Sequence, residues 1–175
     1  NVNLDCLPTG ALFFFSVRDP AERFVSGFND RLAESLPAFY NRHSPAERQS
    51  FRLFPSAVEL AEALSAHHPK HKAALAAMQS IGHIRRPQSS WLRGLFSPGR
   101  GPIAILRTEN LAADLNLLMA SLGLESIIVP KVNTAVGRPQ GASLSATARR
   151  NLRKWYRSDY RLIAQCKTWQ ATKEQ

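Results

Sequence analysis

Cysteine is nearly absent from this 175-residue chain, with only Cys6 and Cys166 near opposite ends. That excludes a disulfide-dense framework, and no CxxC spacing exists to hold a structural metal. A single bridge would require the two ends of the chain to meet. Apolar runs are short, far below the roughly 18 residues of a membrane span, and the first residues carry no signal-peptide pattern. The phosphate-loop pattern GxxxxGK[ST] occurs nowhere, which weighs against a nucleoside or sugar kinase. Acidic residues are scarce: 13 Asp and Glu stand against 23 Lys and Arg, a formal net charge of +10. Such an excess implies an anionic partner, and nucleotide phosphates, acidic glycans, nucleic acid and anionic lipid all meet that condition. Arginine outnumbers lysine 17 to 6 and is spread from Arg18 to Arg161, unlike a disordered nucleic-acid arm.

What is present is a chain long and apolar enough, at 44% hydrophobic residues, to bury one core, and residues 1–175 read as a single domain. Its most informative stretch is Ala11 to Phe28, ALFFFSVRDPAERFVSGF. The run Ala11 to Val17 is apolar except for Ser16 and reads as a strand buried on both faces. Asp19 then stands as a helix N-cap, with Pro20 at the first helical position and Glu22 three residues after the cap. Ala21, Phe24, Val25, Phe28 and Leu32 recur at helical spacing and are expected to pack on the sheet, leaving Glu22, Ser26 and Asn29 on another face. Arg18 and Ser26 are therefore candidates to converge on one anion: a guanidinium offers a planar fork of donors and a hydroxyl adds a short neutral one. Taken singly, each has a plainer reading, a solvated strand-end charge and a helix-surface hydroxyl.

The order of apolar strand, Arg-Asp-Pro, two residues, then Arg-Phe-Val-Ser resembles the 3′-phosphate-binding segment of sulfotransferases, closest to their carbohydrate and membrane-associated branch. The resemblance implies a three-layer α/β fold with a short parallel sheet. It implies that Arg18 and Ser26 bind the 3′-phosphate of the co-substrate 3′-phosphoadenosine 5′-phosphosulfate, and it calls for no metal. It extends over nearly the whole chain. PIAILR, Pro102 to Arg107, reads as a second buried strand, and TENLAADLNLLMASLGL resembles the family's following helix. Thr108 or Asn110 is expected to cap that helix. Leu111, Leu115, Leu118 and Leu122 supply its buried stripe, and Gly123 its left-handed C-cap. VNTAVGRP resembles a loop carrying an Asn-Thr pair, and LRKWYRSDYRLI a closing helix pair with Tyr, two residues, Asp-Tyr. GHIRRPQSSWL resembles a His, Pro-Gln, aromatic-Leu element. It reads as a loop in which His83, Arg86 and Gln88 are candidate acceptor-binding residues, against the plainer reading of a hydrogen-bonded His and a solvated Gln. Trp91, at its end, reads as a packing anchor with an indole able to stack on a sugar ring.

The family's 5′-phosphosulfate loop, a Lys-x-Gly-x-Ser type, has no counterpart in NVNLDCLPTG, Asn1 to Gly10. The catalytic residues are hence expected upstream of Asn1. The chain is expected to be the C-terminal portion of a longer enzyme and inactive alone; a degenerate, non-catalytic protein is the second explanation. Expected partners are the sulfate-donor nucleotide and an anionic or neutral glycan acceptor, with no nucleic acid. Membrane association is expected only through a missing N-terminus. Localisation is left between cytoplasm and, with such an anchor, the Golgi membrane. The alternative from another class is a non-catalytic basic module that binds anionic glycan or nucleic acid.

Between the strands the chain reads as helical. Ser44, Pro45 and Glu47 repeat the cap pattern, and Ser56 to Ala66 and Pro69 to Ser80 read as Ala-rich helices around His67-His68-Pro69. His67 and His71 are four apart, but Pro69 between them makes a turn a better explanation than a continuous metal-binding face.

Overall fold

The computed structural model describes residues 7–8, 10–33, 43–92, 94–96, 101–129 and 143–173. It is mixed α/β: mostly helical, with a short parallel two-stranded sheet. Contacts along the chain group it into two units: residues 1–18, 88–136 and 161–175, and residues 19–87 and 137–160.

The first unit holds the sheet. Strand β1, Phe14–Val17, pairs in parallel with β2, Ala104–Arg107, from Phe14 opposite Ala104 to Val17 opposite Arg107. Ile105 and Leu106 are buried as expected, whereas β1 is not buried on both faces. Phe14 is 52% exposed and Ser16 is exposed, while Val17 is buried. Successive side chains of a strand point to opposite faces, and only the face of Val17 meets the core it shares with Leu95, Ile105, Leu162 and Cys166. Burial pushes the Cys166 thiol up to about 11, and the thiol is free; Cys6 lies outside the described residues.

After β2 a 3-10 turn, Thr108–Asn110, leads into α6, Leu111–Ser121. Neither Thr108 nor Asn110 caps this helix with its side chain; the Thr108 hydroxyl is engaged elsewhere. Of the four expected stripe leucines only Leu118 is buried, and Leu122 is 47% exposed. The helix is apolar on several faces, so its leucines do not define one stripe. Its C-terminus is as expected. Gly123 has φ +68°, and the Leu124 N–H reaches back to the Met119 carbonyl at 2.9 Å. Asp114 fastens the helix to the end of β2, accepting from the Arg107 amide at 2.7 Å and from its guanidinium at 3.2 and 3.1 Å. Burial alone would raise the Asp114 pKa, but these bonds and the Arg107 charge outweigh it and hold the carboxyl below its ordinary value.

The second unit is helical: α1 Pro20–Leu32, α2 Pro45–Leu53, α3 Ala57–Ala63, α4 His71–Ser80, α5 Gly82–Arg85 and α7 Ala146–Trp155. The last is followed after Tyr156 by α8, Arg157–Lys173, so the closing helix pair forms as expected. The VNTAVGRP loop lies outside the described residues. GHIRRPQSSWL is not a plain loop, since it supplies α5 and a 3-10 turn at Gln88–Ser90. The His67–Lys70 segment is a turn, and α4 starts at His71.

Asp19 caps α1 by accepting from the Ala21 and Glu22 amides at 2.9 and 3.1 Å. The helix buries Ala21, Phe24 and Phe28 in a core with Phe51, Phe54, Leu60, Met78, Ile81, Ile84, Leu152 and Tyr156. These partners belong to its own unit. In its last turn α1 buries Arg31, and the expected Leu32 is exposed. The reason is Glu47. The Ser44–Glu47 capping box closes in both directions, and the same carboxylate takes two bonds from Arg31, at 3.0 and 2.9 Å, and one from the Gly82 amide at 3.0 Å. A buried guanidinium is tolerable only with such a partner.

Burial by itself would raise the Glu47 pKa, yet the Ser44 and Gly82 amides and Arg31 more than reverse this, and the group titrates below its ordinary 4.5. Its contribution to stability is therefore complete above pH 4.5 and is lost as pH falls through the lower folded-state value. Glu47→Ala takes the carboxylate away from buried Arg31 and is expected to cost about 3–5 kcal/mol in urea denaturation at neutral pH. The gap between variant and parent should narrow as the pH is taken below 4.5.

Candidate functional site

At the end of β1 the backbone around Arg18 is tied by side chains from two distant segments. The Val17 carbonyl accepts from the Thr108 hydroxyl at 3.1 Å. The Arg18 N–H donates to the Gln88 side-chain oxygen at 3.3 Å, and the Gln88 amide nitrogen donates back to the Arg18 carbonyl at 2.6 Å. Gln88 is 5% exposed, so the solvated reading does not hold for it. The Arg18 side chain itself makes no hydrogen bond or ion pair among the described residues, and it is half-buried. A fixed backbone carrying an uncommitted guanidinium can present a planar fork of donors to an oxyanion.

Ser26 belongs to the second unit, in the second turn of α1, half-buried. The next residue, Gly27, is where α1 meets α5: a Cβ there would stand 3.1 Å from the His83 Cβ and 3.2 Å from the Ile84 Cγ2. Glycine permits this approach, which sets His83 against the α1 segment that carries Ser26. His83 also meets α1 one turn further on, its Nδ1 lying 3.0 Å from an Asp30 carboxylate oxygen. The imidazole is 51% exposed. The structure thus sets His83 of α5 against α1 at Gly27 and Asp30 in the second unit, which also carries Ser26, and brings Gln88 and Arg18 together in the first.

Arg86 is exposed, and its contribution to the framework is its carbonyl. That carbonyl and the carbonyl of His83 accept from Arg23, at 2.9 and 3.2 Å. Arg23 lies 3.6 Å from the fully buried Asp159 carboxylate and stacks 5.2 Å from the Tyr156 ring centre. The Tyr156 hydroxyl donates to the Ile84 carbonyl at 2.5 Å, and burial holds its phenol well above the ordinary range. Two motif pieces thereby acquire a physical role. The Arg of Arg-Phe-Val-Ser and the Tyr and Asp of Tyr-x-x-Asp-Tyr together hold the His83–Arg86 backbone. Trp91 is 40% exposed at the end of the 3-10 turn. A groove of about 250 Å³ along β2, α6 and α8, lined by Ile105, Leu118 and Trp169 among others, contains none of the expected site residues.

A model of the sulfotransferase family matches residues 10–163, most of the chain and residues of both units. The chain belongs to the sulfotransferase family. Sulfotransferases move a sulfuryl group, and the family supports a transferase. No curated protein and no solved structure matches it. Within this sulfotransferase chain, sequence reasoning missed Arg23, Asp30 and Thr108 as framework residues. Arg23 sits inside the quoted motif, where a charge in a half-apolar helix was the available signal; the partners of Asp30 and Thr108 are too distant in sequence to leave one.

Arg23→Met keeps the aliphatic stem but leaves the buried Asp159 without its guanidinium. It is expected to cost about 3–5 kcal/mol in denaturant titration and to speed amide exchange across Gly82–Arg86.

Proposed function

We propose that this sulfotransferase domain, read as one domain over residues 1–175, binds 3′-phosphoadenosine 5′-phosphosulfate as donor, with Arg18 and Ser26 as the donors to its 3′-phosphate. The observation that carries the reading is Arg18: a guanidinium without a hydrogen bond or ion pair among the described residues, on a backbone held by Gln88 and Thr108, at the end of a parallel strand. Open α/β sheets bind ligands outside the carboxyl ends of their strands, where Arg18 stands. The family's motif assigns Ser26 as the hydroxyl donor. No metal is called for.

In the transfer, the acceptor hydroxyl oxygen bonds to sulfur, the bond from sulfur to the 5′-phosphate oxygen breaks, and the hydroxyl proton passes to a base. The part taken by Arg18 and Ser26 is to hold the nucleotide in place, so that binding energy gathered at the 3′-phosphate orients the far end. The acceptor is proposed to be a carbohydrate, and exposed His83 and Arg86 are proposed to meet it. The exposed cations of α7 and its junction with α8, Arg150, Lys154 and Arg157, favour an acidic glycan over a neutral one. The same cations give the second reading its support, a basic module that binds polyanions without catalysis.

Calorimetric titration with adenosine 3′,5′-bisphosphate separates the two. Arg18→Ala should weaken binding by about 1.5–3 kcal/mol, the range for hydrogen bonds to charged groups, while thermal unfolding stays unchanged. Binding of a sulfated oligosaccharide that falls steeply with salt and ignores the nucleotide and Arg18 would instead establish the basic module.

A further inference from the structure

We propose that Gln88 is a positioning residue for the anion site: it sets the backbone conformation from which Arg18 presents its guanidinium, and it does not itself bind acceptor. The inference rests on the donor-site reading above and assigns the residue that makes the site competent.

A primary amide carries a carbonyl oxygen and an N–H on the same edge. Those two atoms match the N–H and C=O that one extended residue turns toward a neighbouring strand. Gln88 uses them in that manner, with its oxygen on the Arg18 N–H and its nitrogen on the Arg18 carbonyl, at 3.3 and 2.6 Å across 70 residues of sequence. The amide therefore pairs with the backbone one residue beyond Val17, where β1 ends. Without it, the last polar groups of the strand would lack these partners at a half-buried position. With it, φ and ψ of Arg18 are set, and so is the direction in which the side chain leaves the backbone.

Thr108 strengthens the arrangement by taking the preceding carbonyl, that of Val17, at 3.1 Å. Three successive backbone groups, Val17 C=O, Arg18 N–H and Arg18 C=O, are thus bonded to side chains. None of these bonds uses the Arg18 guanidinium. A flexible arginine loses rotamer freedom on binding an anion, and fixing its backbone beforehand lowers what remains to be ordered. Burial at 5% exposure, with both amide functions engaged, leaves Gln88 little surface for an acceptor. Asparagine is too short to span the same two groups. Glutamate keeps the shape but sets a carboxylate oxygen against the Arg18 carbonyl.

A double-mutant cycle on the 175-residue chain tests this, with Gln88→Leu, Gln88→Glu and Arg18→Ala titrated with adenosine 3′,5′-bisphosphate and hydrogen exchange of the Arg18 amide followed alongside. Gln88→Leu should weaken binding by about tenfold or more, and by less than about twofold when Arg18 is already alanine. The Arg18 amide should exchange faster in both Gln88 variants. Gln88→Glu, which preserves volume, should bind like Gln88→Leu and so serves if the leucine variant does not fold. Unchanged affinity in folded Gln88 variants, or the same loss with and without Arg18, overturns the positioning role while leaving the donor site standing. Parent chain that binds no nucleotide, yet shows a Gln88-dependent Arg18 amide, overturns the donor-site reading and the role built on it.

Discussion

The second unit is organised around one carboxylate. Glu47 closes the N-terminus of α2, neutralises Arg31 at the end of α1 and receives the first amide of α5, so three helices are registered against a single group. A buried ion pair of this kind adds little net stability over an apolar core, since desolvation offsets most of its attraction. What it fixes is geometry: a guanidinium brought inside accepts only the arrangement that satisfies it. Arg23 repeats the logic one helical stretch earlier, with buried Asp159 and the His83 and Arg86 carbonyls as its partners. Helix α1 thus holds α5 directly through Arg23, is linked to it through Arg31 and Glu47, and touches it at Gly27, and His83 inherits its place from those contacts.

The first unit solves a different problem. A strand that ends at a proposed binding residue must satisfy its last backbone groups without consuming the side chain proposed to bind. Here Gln88 and Thr108 take the backbone and leave the Arg18 guanidinium uncommitted. Two kinds of arginine contrast clearly: Arg23, Arg31 and Arg107 are matched to carboxylates of the protein, and Arg18 has none among the described residues. That difference separates a framework arginine from one available to a ligand, and residue type alone does not reveal it.

Local chemistry was legible in the sequence. Asp19, Ser44 and Gly123 act as the caps that their neighbours announce, because a cap depends on residues within one turn. Both strands were legible, and the strand, Arg-Asp-Pro, helix order led to the family. Burial was less so. The Phe-rich run before Val17 reads as uniformly buried, yet Phe14 faces outward, because an apolar run does not say which of its two faces is covered. The leucines of α6 misled for a related reason: with apolar residues around the helix, periodicity does not single out Leu118. Pairings such as Gln88 with Arg18 and Asp159 with Arg23 join residues far apart in the chain, so no spacing rule reaches them. Gln88 stood out in its Pro-Gln context, but that it grips backbone became visible only in three dimensions.

The central claim is that the strand end holds a 3′-phosphate. Phosphorus NMR of adenosine 3′,5′-bisphosphate tests it directly, because the two phosphates of one molecule report separately as the chain is added. The 3′-phosphorus resonance is expected to shift and broaden, and Arg18→Ala to abolish the effect. A 3′ resonance that stays unmoved, or a response confined to the 5′-phosphorus, would contradict it.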